Sequence, residues 1–232
     1  MEKMMAEAAQ AGDIDSLYEL LENEPKLLDI INLKPFYDTP SHIAASAGHT
    51  LFVLETLLLK PSFGEKLNTN GLSPLHSALR NQRFETAKQV VKHHPELIWV
   101  KGRGGITPLH YVAVIGEVDL LAEFLMACPS SVEDLTCGES VVHVAVRDRC
   151  RGSFEVIFGW LIRFNTSKIL QWKDREGNSA LHIAAITNHS QVVSLLVKQI
   201  RVNDRNCEGL TALDLAIKFP GNESERIKKI LK

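Results

Sequence analysis

Apolar positions along this chain recur at helical spacing in short blocks, and the blocks come in pairs. The second member of each pair is the easier to read: Leu51, Val53, Leu54, Leu57 and Leu58; Phe84, Ala87, Val90 and Val91; Val118, Leu120, Leu121, Phe124 and Leu125; Val192, Val193, Leu195 and Leu196. Residues three and four apart share one stripe of an α-helix, so each block predicts a helix with one buried face. Four such blocks stop before a proline, at Pro25, Pro61, Pro95 and Pro129, and an apolar residue follows two or three places later: Leu27, Phe63, Leu97 and Val132. Proline lacks the amide and the space to continue a helix, so the chain must turn there.

The first member of each pair carries a string that returns. It reads Thr39-Pro40-Ser41-His42-Ile43-Ala44, then Ser73-Pro74-Leu75-His76-Ser77-Ala78, then Thr107-Pro108-Leu109-His110-Tyr111-Val112. Weaker copies carry His143, His182 and Asp214 at the fourth position, so the marker steps along the chain by 34, 34, 33, 39 and 32 residues. A fixed period of this size predicts a stack of repeated helix pairs. The hydroxyl residue suits a helix N-cap, and proline suits the next position, where no helical amide bond is lost. Small alanines let the paired helix come close. Glycine stands five residues before the marker in five of the six copies, at Gly71, Gly105, Gly138, Gly177 and Gly209, as a turn with positive φ requires; Tyr37 breaks the rule in the first.

With these six registered copies the chain resembles the ankyrin-repeat family over nearly its whole length. A degenerate seventh unit precedes them, since Ala8-Ala9-Gln10-Ala11-Gly12 aligns with Ala44-Ala45-Ser46-Ala47-Gly48. The resemblance implies an all-α ankyrin solenoid of helix-turn-helix units with short β-hairpin fingers, about seven repeats including caps. The expected layout is one domain over 1–232, with an N-terminal cap at 1–34, five central repeats at 35–203 and a C-terminal cap at 204–232. The long step between His143 and His182 places an insertion near 153–172, flanked by Trp160 and Trp172. The proline-terminated helices and the run from Lys101 to His110 are similar to plant ankyrin proteins of the bian da and accelerated-cell-death type. That narrower resemblance implies immune signalling, with a C-terminal membrane region in the relatives that this chain does not include.

Charge is close to balanced, with 26 Lys+Arg against 28 Asp+Glu, and no polybasic cluster supplies the cationic field that nucleic acid needs. Residues 1–29 hold eight acidic side chains and two basic ones, a solubilising cap in expectation. Neither a signal-peptide core nor a run of transmembrane length is present, so a cytoplasmic chain is expected. The four cysteines show no metal or redox spacing; Cys150, between Arg149 and Arg151, is the one whose neighbours could activate a thiol, although a plain buried cysteine is the better reading. Five histidines in register invite a metal-site reading. One repeat apart is roughly 10 Å, too far for shared coordination, so they are expected to bond their own Thr or Ser and the turn backbone. No nucleophile elbow, phosphate loop or carboxylate pair is found, and neither catalysis nor a cofactor is expected.

What is left for function is a concave groove that binds a protein or peptide. By the resemblance, fingertip and inner-helix positions line it: Phe36, Tyr37, Leu72, Arg80, Arg103, Ile106, Val114, Ile115, Arg147, Asp148 and Arg175. Phe36, Tyr37, Leu72, Ile106, Val114 and Ile115 are expected to form an apolar strip rimmed by Arg80, Arg103 and Arg147, as interface hot spots often are. An adaptor or sensor domain is the function expected. Self-association, possible also through a membrane-anchored form, and a small-molecule receptor are the alternatives.

Overall fold

The computed structural model describes residues 1–232. Fifteen α-helices account for most of it, in the order α1 (Glu2–Ala11), α2 (Ile14–Asn23), α3 (Leu27–Leu33), α4 (Pro40–Ala47), α5 (Thr50–Leu59), α6 (Pro74–Arg80), α7 (Phe84–His93), α8 (Pro108–Ile115), α9 (Val118–Ala127), α10 (Val141–Arg147), α11 (Arg151–Arg163), α12 (Ala180–Ile186), α13 (Ser190–Leu196), α14 (Ala212–Lys218) and α15 (Ser224–Leu231). The class is all-α. One strand pair, β1 (Leu135–Thr136) and β2 (Glu139–Ser140), is antiparallel with Leu135 opposite Ser140.

Two compact units divide the chain, one of residues 1–111 with 126–129, the other of 112–125 with 130–232. In the first, α4 packs against both α1 and α6, and α5 packs between α2 and α7. In the second, α12 lies against α10 and α14, and α13 against α15. Inner helix thus stacks on inner helix and outer on outer. The inner contacts are small and dry: Ala44, Ala45, Ala78, Ala184 and Ala216 are fully buried, which is why the alanine pair recurs.

The prolines act as expected. Beyond each of Pro61, Pro95 and Pro129 the chain makes one tight 3-10 turn, whereas Pro25 leads into the short helix α3. Leu27, Phe63, Leu97 and Val132 are all buried by these turns. A further turn at Ser167–Gln171 does the same for Ile169 and Leu170 after the long helix α11.

The fingers differ from the expectation of repeated β-hairpins, since strand pairing occurs only at 135–140. In three other fingers a side chain closes the turn, whereas backbone bonds close the Gly102–Ile106 finger. Asn68 Oδ1 accepts the amides of Asn70 and Leu72, Asp174 Oδ1 those of Glu176 and Asn178, and Asn206 Oδ1 those of Glu208 and Leu210. Each Asx turn sits inside one backbone bond across the finger, in which Asn68, Asp174 and Asn206 donate to the carbonyls of Leu72, Asn178 and Leu210. The amides between are taken by the side chain, so the ladder grows no further. All five of the predicted glycines have positive φ. In the first finger the left-handed residue is Phe36 instead, at φ 46°, one place before Tyr37.

Candidate functional site

Four of the five recurring histidines tie their helix pair to the next finger, while His110 bonds its own Thr107. His42 Nδ1 accepts the amide of Thr39 (3.2 Å) and lies 2.8 Å from the Thr39 hydroxyl. An accepting Nδ1 puts the ring proton on Nε2, which donates to the Leu72 carbonyl at 2.9 Å. His76 repeats this with Ser73 and the Ile106 carbonyl, and His182 with Ser179 and the Asp204 carbonyl. His143 reaches two carbonyls, those of Trp172 and Asn178, at 3.0 and 3.2 Å. Both ring nitrogens are spent in each case, and no group of three or more His, Cys, Asp or Glu side chains is arranged to hold a metal ion. Burial pushes His42 and His76 down to about 4 and lowers His143 and His182, since a charged ring would lose its hydration. In the last repeat Asp214 keeps only the near half of this arrangement, accepting from the amide and hydroxyl of Thr211.

With the fingers pinned this way, each unit presents one open cleft between its finger turns and its inner helices. In the first unit the cleft encloses about 520 Å³ and is lined by Gln10, Asp38, His42, Ile43, Ser46, Asn68, Asn70, Leu72, Ser77, Arg80 and Asn81. Asn68 donates its amide to Asp38 at 2.7 Å, and Asn81 donates to the Ser77 carbonyl. Arg80 is exposed, with no carboxylate within ion-pair distance, so its guanidinium faces the cleft with its donors free. Of the residues singled out in this unit, Leu72 and Arg80 line the cleft, whereas Phe36, Tyr37, Arg103 and Ile106 stand outside its lining. Phe36 is 64% exposed, and Tyr37 lies under the Lys34 ammonium, 4.9 Å from the ring centre.

The second unit's cleft encloses about 410 Å³ among Cys137, Glu139, Arg147, Asp174, Arg175, Glu176, Asn178, Ile183, Ile186 and Thr187. Arg147 is held there by Glu139 and by Asp148, and the Asp148 hydrogen bond is the main reason its guanidinium stays charged even more firmly than usual. Arg175 has no such partner. Val114, Ile115 and Asp148 are exposed but do not line this cleft.

Several lining residues escaped the sequence reading although a signal for them existed. The positions four and five places after the marker, which hold Arg80 and Asn81 in the second repeat and Arg147 and Asp148 in the fourth, hold Ser46 in the first and Ile186 and Thr187 in the fifth. Gln10 is reached the same way through the degenerate first unit. The surroundings of Cys150 do not favour its thiolate. Its thiol donates to the Val114 carbonyl at 3.0 Å, Arg149 turns to the Thr187 carbonyl, Arg151 pairs with Glu155, and burial together with Asp148 pushes the thiol up.

Comparison with known proteins agrees with this architecture. Residues 5–98 and 143–232 match the sequence profile of the family described as ankyrin repeats. The ankyrin repeat-containing protein BDA1 of Arabidopsis thaliana is 39% identical over 239 residues, covering 100% of this chain and 56% of that protein. The chain therefore spans little more than half the length of that relative. Among solved structures, EF0377, an ankyrin repeat protein, superposes with a TM-score of 0.68 at 20% identity over 84% of this chain and 98% of its own. A chain from the structure of the predatory endopeptidase Bd0816 of Bdellovibrio bacteriovorus in complex with immunity protein Bd3460 gives a TM-score of 0.63 at 19% identity, covering 82% of this chain and 95% of that one. No helix is long and apolar enough to cross a membrane.

Proposed function

Because the chain belongs to the ankyrin-repeat family, whose repeats form protein-interaction scaffolds, we propose that its clefts bind an extended, acidic peptide segment of a partner protein and that the chain acts as a non-catalytic adaptor. The observation that carries this reading is the first cleft, where the unpaired Arg80 stands among the carboxamides of Gln10, Asn70 and Asn81. Carboxamides can donate to and accept from the backbone of an extended peptide, and a guanidinium takes a carboxylate through two parallel donors. Arg175 offers the same chemistry in the second cleft, beside Arg147, whose own carboxylate partners leave it less available. Finger turns fixed by histidine and Asx bonds keep both clefts preformed, so little ordering entropy opposes binding. The whole-chain similarity to BDA1 supports placing this adaptor in plant immune signalling, with a cytoplasmic location for the repeats and any membrane attachment supplied by sequence outside them.

Peptide display against the whole chain tests the reading. Selected peptides are expected to carry Asp or Glu and to lose at least about tenfold in affinity to Arg80→Glu. The same peptides should bind Arg163→Glu, on the outer helix α11, unchanged. Selection of basic or purely apolar peptides, or equal binding to both variants, would remove the proposal.

A further inference from the structure

The outer helix α5 is apolar on every side. Seven of its ten residues are apolar; Phe52, Val53 and Leu57 are buried, whereas Leu51 and Leu58, two turns apart on the side away from Val53, are each 71% exposed. Other repeats keep this face polar. In the register that aligns Ala8 with Ala44, the position of Leu51 holds Asp15, Glu85, Asp119, Gln191 and Glu223 in five of the six others, and that of Leu58 holds Glu22, Lys92 and Lys198 in three. Met126 and Ile230 share the second position, but only α5 is apolar at both. A helix apolar all round implies a cover on its solvent side. Stacking further repeats at either end could not supply it, because stacked helices lie side by side and α5 already has α2 and α7 as its neighbours.

The helices beside α5 carry charge. α2 presents Asp15, Glu19 and Glu22 and no base, and α7 presents Lys88 and Lys92 against Glu85. Glu55, the one acid of α5, is drawn to the α2 side by the Tyr18 hydroxyl. A leucine row thus runs between an acidic row and a row with two lysines, and a two-fold axis along α5 makes the face complementary to itself. Leu51 and Leu58 then meet the same residues of a second copy, while Glu22 faces Lys92 and Glu19 faces Lys88. Asp15 and Glu85 form the one like-charged pair. The antiparallel alternative would set α2 on α2 and bring all its acids together. Three ten-residue helices, each about 15 Å long and about 9 Å apart, give a face about 28 Å wide, which suits a small, specific contact.

We propose that this face is a two-fold dimer interface between copies of this chain, with a dissociation constant of about 10 μM. Because the same patch is used on both copies, the contact closes at two. The first cleft, built from inner helices and finger turns, stays open in the dimer.

Sedimentation equilibrium of the whole chain from about 1 μM to about 1 mM brackets that constant. The mass is expected to rise from monomer to dimer and stop there. Leu51→Glu with Leu58→Lys gives α5 the residues that α7 carries at both positions, and circular dichroism checks that the variant folds; association should weaken at least about tenfold. Lys92→Glu should weaken it about threefold or more, and Glu22→Lys added to the same chain should restore it. Glu85→Lys, which removes the like-charged pair, should tighten it. Arg80→Glu in the first cleft should leave the dimer unchanged, so this proposal and the peptide-binding reading fail on different results. A monomer at every concentration, growth beyond a dimer, association that survives the leucine substitutions, or no restoration by Glu22→Lys would each overturn the proposal. So would a monomer that co-sediments with phosphatidylcholine vesicles through the same leucines, which would give the face to a lipid surface.

Discussion

His42 Nε2 donates to the main-chain carbonyl of Leu72, 30 residues further on, at 2.9 Å. One imidazole thereby fixes its own helix N-terminus through Thr39 and the next finger through Leu72. Leu72 lines the first cleft, so the shape of a candidate binding surface depends on this buried bond, while the bond from the Thr39 amide to Nδ1 is the one that only a neutral ring can accept.

That dependence gives stability a direction with pH. An unfolded histidine titrates near 6.5, whereas burial pushes His42 and His76 down to about 4 and lowers His143 and His182. On acidification the unfolded chain takes up protons first. Stability is therefore whole above about pH 6.5 and is lost as pH falls toward 4, His42 and His76 each contributing a slope of at most about 1.4 kcal/mol per pH unit and His143 and His182 acting in the same direction. Urea midpoints measured from pH 7 down to pH 4.5 should decline steadily. The carboxylates held low, Asp13, Asp214, Glu223 and Glu225, lose their contribution only below that range, so a flat profile there would refute a neutral ladder.

Among the four rings, His143 should matter most. Its Nε2 lies within 3.2 Å of two carbonyls, Trp172 and Asn178, and so anchors both ends of the finger that follows the long loop. His143→Leu leaves the Trp172 carbonyl without its donor, takes one of two donors from the Asn178 carbonyl, which keeps the Asp174 amide, and should cost about 2–3 kcal/mol. His182→Leu, which strands one carbonyl, should cost about half as much. Denaturant unfolding compares the two, and hydrogen exchange should rise around residues 172–178 only in the first.

The repeat, its marker spacing and its buried faces were legible because packing imposes a period on the sequence, and a period can be counted. The prolines could be read for the same reason, since Pro61 and Pro95 cannot continue the helix that precedes them. The fingers could not be read fully. Asn68, Asp174 and Asn206 stand eight residues before their markers, yet whether such a side chain closes a turn or leaves the backbone to pair as a strand depends on local competition that spacing does not express. Asn70 and Asn81 stand at the fingertip and inner-helix positions that the resemblance assigns to the groove, but which of their donors is already spent, as Asn81 is on the Ser77 carbonyl, only the structure shows. Arg147 shows the converse, since only its contacts reveal that Glu139 and Asp148 already occupy it.

Cys150 should prove the slow thiol. Cys137 and Cys207 are exposed, whereas the Cys150 thiol donates to Val114 and is pushed up by burial and by Asp148. Iodoacetamide at pH 7.5, with peptide mapping over time, should label Cys137 and Cys207 first. Asp148→Asn removes one of the two causes and should speed Cys150 modestly, by a factor of about 2–5. Cys150 reacting ahead of the exposed pair would restore the reactive-thiol reading.

Phe36 offers a test of strain against contact. Its φ of 46° lies in the left-handed region, which costs a non-glycine residue about 1 kcal/mol, and an aromatic side chain finds no local hydrogen bond there to offset it. At 64% exposure the ring recovers little through burial. Phe36→Gly should therefore leave stability unchanged or raise it by up to about 1 kcal/mol, the gain reduced by glycine's larger unfolded-state entropy. Phe36→Ala, which keeps the strain and loses the ring, should stay within about 0.5 kcal/mol of the parent in thermal unfolding. Comparing the two variants separates backbone from side chain: if the ring serves recognition, both lose peptide affinity equally while only the glycine variant gains stability. A clear fall in melting temperature in both would show instead that the ring packs against its neighbours and that its exposure is not available to a partner.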